Sequence, residues 1–226
     1  MATNNIIFTA GGSGKRMNTD IPKQFIPVSD KPMLMWAMEA FEMFDSSMNK
    51  IIVLPAERIT LWESLCKEFN FNLNHQIVEG GATRFESVRN GISHIDDDGL
   101  TGIHDGVRPF PSIETIRNAY STAIKYGAAI PYIDSKDTLR YIHGDGSQII
   151  DRSNIKRIQT PQVFSTEIIK KAYQQDYRKE FTDDASVVEA LGHNVHLFQG
   201  NEENLKVTTK MDLRIAIMLG DLMGSK

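Results

Sequence analysis

Glycines and cations are packed most densely between positions 10 and 24 of the chain, where Ala10-Gly11-Gly12-Ser13-Gly14-Lys15-Arg16-Met17 is followed by Pro22-Lys23-Gln24. Glycines allow backbone N–H groups to approach an anion closely, and Lys15, Arg16 and Lys23 add positive charge to the same stretch. That combination suits a phosphate chain. Two well-known phosphate loops do not fit: a P-loop needs Gly five residues before Gly14 and Ser or Thr after Lys15, but Thr9 and Arg16 stand there. A dinucleotide fingerprint needs a third small residue where the sequence has Met17. Nor is Ser13 a hydrolase nucleophile, since the final Gly of G-x-S-x-G is missing.

A second glycine pair, Gly80-Gly81, is followed by Arg84 and Ser87, and Asp105 is followed closely by Arg108. Both follow strand-like runs, and the carboxyl ends of strands in open α/β sheets are where ligands bind. A carboxylate there, beside a polyphosphate, is suited to hold Mg²⁺, which takes one or two carboxylates plus phosphate oxygens. Thr160, Thr182 and Lys206 are further polar candidates, each with a bland alternative such as a helix cap or a solvated lysine. The six histidines form no metal set; His193 and His196, three apart in a strand-like stretch, point to opposite faces.

Positioning these residues requires strands that end at the glycines and the aspartate. Ile6–Ala10, Ile51–Leu54, Gln76–Val78, Gly102–His104, Ala128–Tyr132 and Val195–Phe198 read as short buried strands, with Val163-Phe164 ending another. Apolar residues at helical spacing lie between them: from Pro32 at the first helical position to Phe44, over 59–69, from Phe85 to Ile95, over 112–126, 166–175 and 183–191, and from Met211 to Leu219. Such alternation predicts an α/β fold, Rossmann-like, with a mainly parallel sheet and flanking helices. Strand-like runs on both sides of His143-Gly144-Asp145-Gly146-Ser147 interrupt it as an inserted β-hairpin arm at about 134–157. A hairpin closing symmetrically about Asp145 pairs Ile142 with Gln148 and Thr138 with Arg152. With no linker or repeat, 1–226 reads as a single domain.

Composition excludes several classes. Twenty-five Lys and Arg against 29 Asp and Glu give a net charge of -4, which argues against nucleic acid or an anionic membrane as partner. No apolar run reaches the ~18 residues of a membrane span. One cysteine, Cys66, forbids an intramolecular disulfide and fits a reducing compartment, so the chain is expected to be cytoplasmic.

Taken in order, the motifs at 10–17 and 22–24, Gly80-Gly81-Ala82-Thr83-Arg84, His104-Asp105-Gly106-Val107-Arg108-Pro109, Asp137-Thr138, Thr160-Pro161-Gln162, Thr182-Asp183 and Asn204-Leu205-Lys206-Val207-Thr208 resemble the 2-C-methyl-D-erythritol 4-phosphate cytidylyltransferase family over nearly the whole chain. The resemblance implies a nucleotidyltransferase of the non-mevalonate isoprenoid pathway that makes CDP-methylerythritol and pyrophosphate from CTP and a sugar-alcohol phosphate, with Mg²⁺. It implies a homodimer with an exchanged arm. By the same resemblance Arg16 and Lys23 stabilise charge at the α-phosphate, and Ala10, Gly11, Gly12, Ser13, Gly14, Gly80, Gly81 and Ser87 bind CTP. Asp105 lies near metal and substrate. Arg152 and Lys206 position the acceptor phosphate, with Arg108, Thr138, Thr160 and Thr182 as further substrate contacts. Gly106-Val107 stands where the family commonly has Ala-Ala, and a similar Val occurs in the related ribitol-5-phosphate cytidylyltransferases; the stretch 182–189 is closer to the methylerythritol enzymes. A non-catalytic nucleotide-binding subunit on the same fold is the alternative of another class.

Overall fold

A computed structural model describes residues 4–12, 21–96 and 98–224. Ser13, Gly14 and Arg16 lie outside these described residues. Strands β1 (Asn4–Thr9), β4 (Asn49–Leu54), β5 (Gln76–Glu79), β6 (Leu100–Asp105), β7 (Ala128–Asp134) and β12 (His196–Gln199) run in one direction through the main sheet. β6 pairs with β1 from Asn4↔Leu100 to Thr9↔Asp105, so the first glycine loop and Asp105 leave the sheet at the same edge. The Rossmann-like expectation holds, with one departure. Between β6 and β7 lies β11 (Gln162–Ser165), which runs in the opposite direction, and β10 (Lys156–Ile158) just before it pairs antiparallel with β7. Lys156 pairs with Asp134 and Val163 with Ala129, so the pairing slips by two residues at the break.

Central strands are buried on both faces, which is why they read as apolar runs without alternation. One face packs Ile6, Phe8 and Ile52 against α1 (Met33–Phe44), α2 (Ala56–Glu68) and α4 (Ile113–Tyr126). The other packs Ile7, Val53 and Ile103 against α3 (Arg84–Ile92), α5 (Thr166–Ala172) and α6 (Asp184–Glu189). A third cluster seats α7 (Lys210–Gly224) on β2 (Pro27–Val28) through Val28, Val207 and Ala216. Helix ends follow local chemistry. Ser112 caps α4 and Gly127 ends it at φ +81°, while α3 opens on a capping box between Thr83 and Glu86.

Several boundaries differ from the sequence reading. Pro32 caps α1 from outside and pairs in the short β2–β3 (Lys31–Pro32) hairpin, which carries no long apolar run to announce it. Asp183, not Thr182, caps α6. In the arm, β8 (Leu139–His143) and β9 (Gly146–Ile150) pair Ile142 with Ser147 and Tyr141 with Gln148. The symmetric register is therefore wrong by one residue, and the Thr138–Arg152 pair does not form. Gly144, at φ +51°, opens a two-residue turn with Asp145, and that turn fixes the register.

Where β6 meets the slipped strand, His104 is fully buried with its ring edge-on to Phe8 and Phe41. Its Nε2–H donates to the Arg108 carbonyl at 2.9 Å, leaving Nδ1 to accept from the Thr160 hydroxyl at 3.1 Å. Thr160 Oγ1 in turn accepts the Asp105 N–H at 3.1 Å. Burial pushes the imidazole down to about 4. Because that value lies below the ordinary 6.5, the unfolded chain takes up this proton first as pH falls. Stability contributed by the neutral ring is therefore complete above about 6.5 and lost toward pH 4, by up to about 3 kcal/mol. Denaturant titrations across pH 7.5 to 4.5 should show this decline, with a pH slope smaller by up to about one proton in His104→Gln. An identical slope in the variant would refute the assignment.

Candidate active site

The carboxyl ends of β1, β4, β5 and β6 enclose a cavity of about 280 Å³. Its lining includes Ala10, Gly11, Gly12, Lys23, Gly80, Gly81, Ser87, Asp105 and Lys206, so most of the sequence-predicted site residues within the described part of the chain converge there. Backbone shapes the floor. A Cβ on Gly81 would stand 2.3 Å from Glu86 Cβ, so the Gly80-Gly81 turn and the start of α3 can pack this closely only with glycine at 81. Ser87 Oγ accepts the Gly81 N–H at 3.1 Å and donates to the Thr83 carbonyl at 2.9 Å, tying that turn to the helix. Across the cavity, Gln24 donates its amide to the Ala10 carbonyl, and the Lys23 stem passes over Gly12, with Cε 3.1 Å from where a Cβ would be.

Charge in the cavity is organised by one carboxylate. Asp105 is nearly buried, with Lys206 Nζ at 2.8 Å, Arg108 Nε at 3.5 Å and Arg84 Nη2 at 3.7 Å. Burial alone would raise its pKa; Arg84, Lys206 and Arg108 together outweigh that and hold the group well below the usual carboxylate range. It is ionised at any working pH. Arg84 is itself gripped by the fully buried Asp184 through two bonds of 2.9 and 2.7 Å, and Asp184 also accepts the Tyr173 hydroxyl at 2.6 Å. This fork is a preorganised, bidentate pairing that fixes the guanidinium plane.

Not every candidate lines the cavity. Arg108 and Thr160 lie behind Asp105: Arg108 donates to the Asn204 carbonyl at 2.8 Å, and the Asn204 amide donates to the Thr160 carbonyl at 2.7 Å. Their geometry supports the wall rather than facing the space. Thr138, Arg152 and Thr182 are away from the cavity of their own chain, and the exposed Arg152 donates to the Lys136 carbonyl. Arg84 and Gln24 also line the cavity; the sequence reading assigns neither a role, although Arg84 follows the Gly80-Gly81 pair and Gln24 follows Lys23. Asp184, the carboxylate that would have drawn attention to Arg84, is a hundred positions away, and spacing carries no trace of such a pair.

As for metals, no group of three or more His, Cys, Asp or Glu suited to an ion occurs among the described residues. Asp105 is the one carboxylate among the described residues lining the cavity. A lone carboxylate suits a cation completed by ligand oxygens better than a resident ion held by protein alone.

Residues 5–219 match the family model described as 2-C-methyl-D-erythritol 4-phosphate cytidylyltransferase. Among proteins of that name, the one from Phocaeicola vulgatus is 52% identical over 95% of this chain and 98% of its own length. The one from Bacteroides thetaiotaomicron is 48% identical over the same shares. In solved structures, 4-diphosphocytidyl-2C-methyl-D-erythritol synthase from Anaerococcus prevotii superposes with a TM-score of 0.82 at 26% identity, covering 97% of this chain and 96% of that one. The cytidylyltransferase from Thermus thermophilus gives 0.77 at 28%, covering 98% and 100%. With a glycine-floored, cation-rimmed cavity at the carboxyl edge of its sheet, this chain belongs to the 2-C-methyl-D-erythritol 4-phosphate cytidylyltransferase family.

Proposed function

We infer that this nucleotidyltransferase moves CMP from CTP to 2-C-methyl-D-erythritol 4-phosphate, forming CDP-methylerythritol and releasing pyrophosphate. The observation that carries this reading is the cavity itself, where Lys23, Arg84 and Lys206 surround glycine backbone and a single carboxylate. An oxygen of the acceptor phosphate attacks the α-phosphorus as the bond to the pyrophosphate oxygen breaks on the opposite side. Negative charge grows on the bridging and equatorial oxygens, so fixed cations supply most of the catalysis. A phosphomonoester is already largely dianionic at neutral pH, so no general base or covalent nucleophile is needed.

In this reading Ala10 to Gly14, Gly80, Gly81 and Ser87 hold the nucleotide, Arg16 and Lys23 meet the charge at the α-phosphate, and Lys206 orients the acceptor phosphate. When bound, Mg²⁺ would neutralise phosphate oxygens beside Asp105. Thr182 is assigned to acceptor contact. A ribitol phosphate acceptor is the second reading, supported by Val107 in the cavity wall. A cytoplasmic setting agrees with Cys66 as the sole cysteine.

The arm enters through its neighbour. Among the described residues β8 and β9 pair only with each other, and Tyr141, Ile142 and Ile149 are each more than half exposed. A two-stranded hairpin is marginal in water. We place it on a second copy in a C₂ dimer, where Thr138 and Arg152 complete the neighbouring acceptor site.

Three outcomes follow. Lys23→Ala and Arg16→Ala should each lower kcat by roughly 10² to 10³, the scale of losing one preorganised charge stabiliser, with the KM for CTP changing less; a raised KM at unchanged kcat would assign them to ground-state binding instead. Pyrophosphate release should stop in excess EDTA and in Asp105→Ala, and a panel of methylerythritol and ribitol phosphates identifies the acceptor. Full activity in EDTA would remove the metal from the mechanism. Lys23→Ala and Arg152→Ala proteins, mixed and allowed to exchange subunits, should regain roughly a quarter of wild-type activity, because half the dimers then carry one intact site. No recovery, with heterodimers verified by mass, would mean that Arg152 acts in its own chain.

A further inference from the structure

We propose that Trp62, on the far side of the loop from the cavity, is a positioning residue for Lys23; the proposal rests on the reading above that Lys23 meets the charge of the transfer. Lys23, Gln24 and Phe25 form one short 3-10 turn, closed by the Phe25 N–H on the Pro22 carbonyl at 2.9 Å and the Ile26 N–H on the Lys23 carbonyl at 3.2 Å. In so tight a turn the three side chains cannot be reoriented independently. Gln24 is fastened to the Ala10 carbonyl, and Phe25, almost fully buried, stacks on the Trp62 ring with centroids 5.6 Å apart and planes 21° from parallel.

Trp62 is in turn held by several partners. It is the one buried residue of α2 and is completely inaccessible. Its Nε1–H donates to His75 Nε2 at 3.0 Å, and His75 Nδ1–H donates to the Leu73 carbonyl at 2.7 Å, which fixes the imidazole as the neutral Nδ1 tautomer. Phe71 packs edge-on against the indole at 5.9 Å. A chain of contacts therefore runs from the loop before β5, through His75, Trp62 and Phe25, to the backbone that carries Lys23. An aromatic stack sets both the height and the tilt of its partner, whereas an aliphatic contact sets only distance. A displacement of about 1 Å is enough to cost a large factor when the displaced group must meet developing charge.

Anchoring α2 is also a structural duty, so the test must separate position from stability. The measurement is a double-mutant cycle on kcat, using the full chain with CTP, methylerythritol phosphate and Mg²⁺, and folding checked by circular dichroism. Trp62→Leu should lower kcat by about tenfold with the KM for CTP changed less than about threefold, and should lower it less than about twofold when combined with Lys23→Ala. Trp62→Phe, which keeps a ring for Phe25 but loses the indole N–H, should recover most of that kcat. Should Trp62→Leu fail to fold, Phe25→Leu takes its place in the same cycle with the same expectation. Equal losses with Lys23 intact and in the Lys23→Ala background, or no loss in either, overturn the proposal. No fall in kcat on Lys23→Ala itself would instead overturn the assignment of Lys23, a result the cycle reads separately.

Discussion

A carboxylate placed out of water among cations is the constraint to which the rest of this site answers. Removing Asp105 from solvent would be costly alone, and Arg84, Arg108 and Lys206 would repel one another if it were absent. At an effective dielectric near 20, unit charges 4 Å apart interact by about 4 kcal/mol, enough to draw three separate parts of the chain to one point. Arg84 comes from the start of α3, Arg108 from the loop after β6, and Lys206 from the segment before α7. Two of them are braced from behind as well: Arg84 by Asp184, and Arg108 by the Asn204 carbonyl. The cations are thus assembled before any phosphate arrives, which is the condition for electrostatic catalysis without reorganisation.

Much of this was legible in the residues. Strands buried on both faces announce themselves as apolar runs, so β1, β4, β6 and β7, and the glycine loop that follows β1, could be placed from sequence. The features that escaped share a cause, because they depend on contacts between distant residues or on the handedness of one turn. Nothing local in Lys156–Ser165 says that it runs against its neighbours, nor that its pairing slips by two. The arm register turned on whether the loop held two residues or three, and Gly144 at positive φ decided it for two. Asp184 looked like one more acidic residue near a helix start, although it holds the Arg84 fork.

The arm's attachment to the sheet has a consequence of its own for how the molecule can vary. β7 ends at Asp134 and the returning strand begins at Lys156, and these two residues pair directly, reinforced by an ion pair of 2.5 Å. Everything from 135 to 155 leaves and returns beside that pair, at the same edge of the sheet as the cavity, with Lys136 tied to Glu202 by a second ion pair. Lengthening such an excursion costs little, about 0.6 kcal/mol for each doubling in the flexible-loop limit. Insertions, deletions or a wholly different sequence in this segment would leave the strand order and the buried core as they are. The body of the fold therefore sets few constraints on the arm's length and sequence.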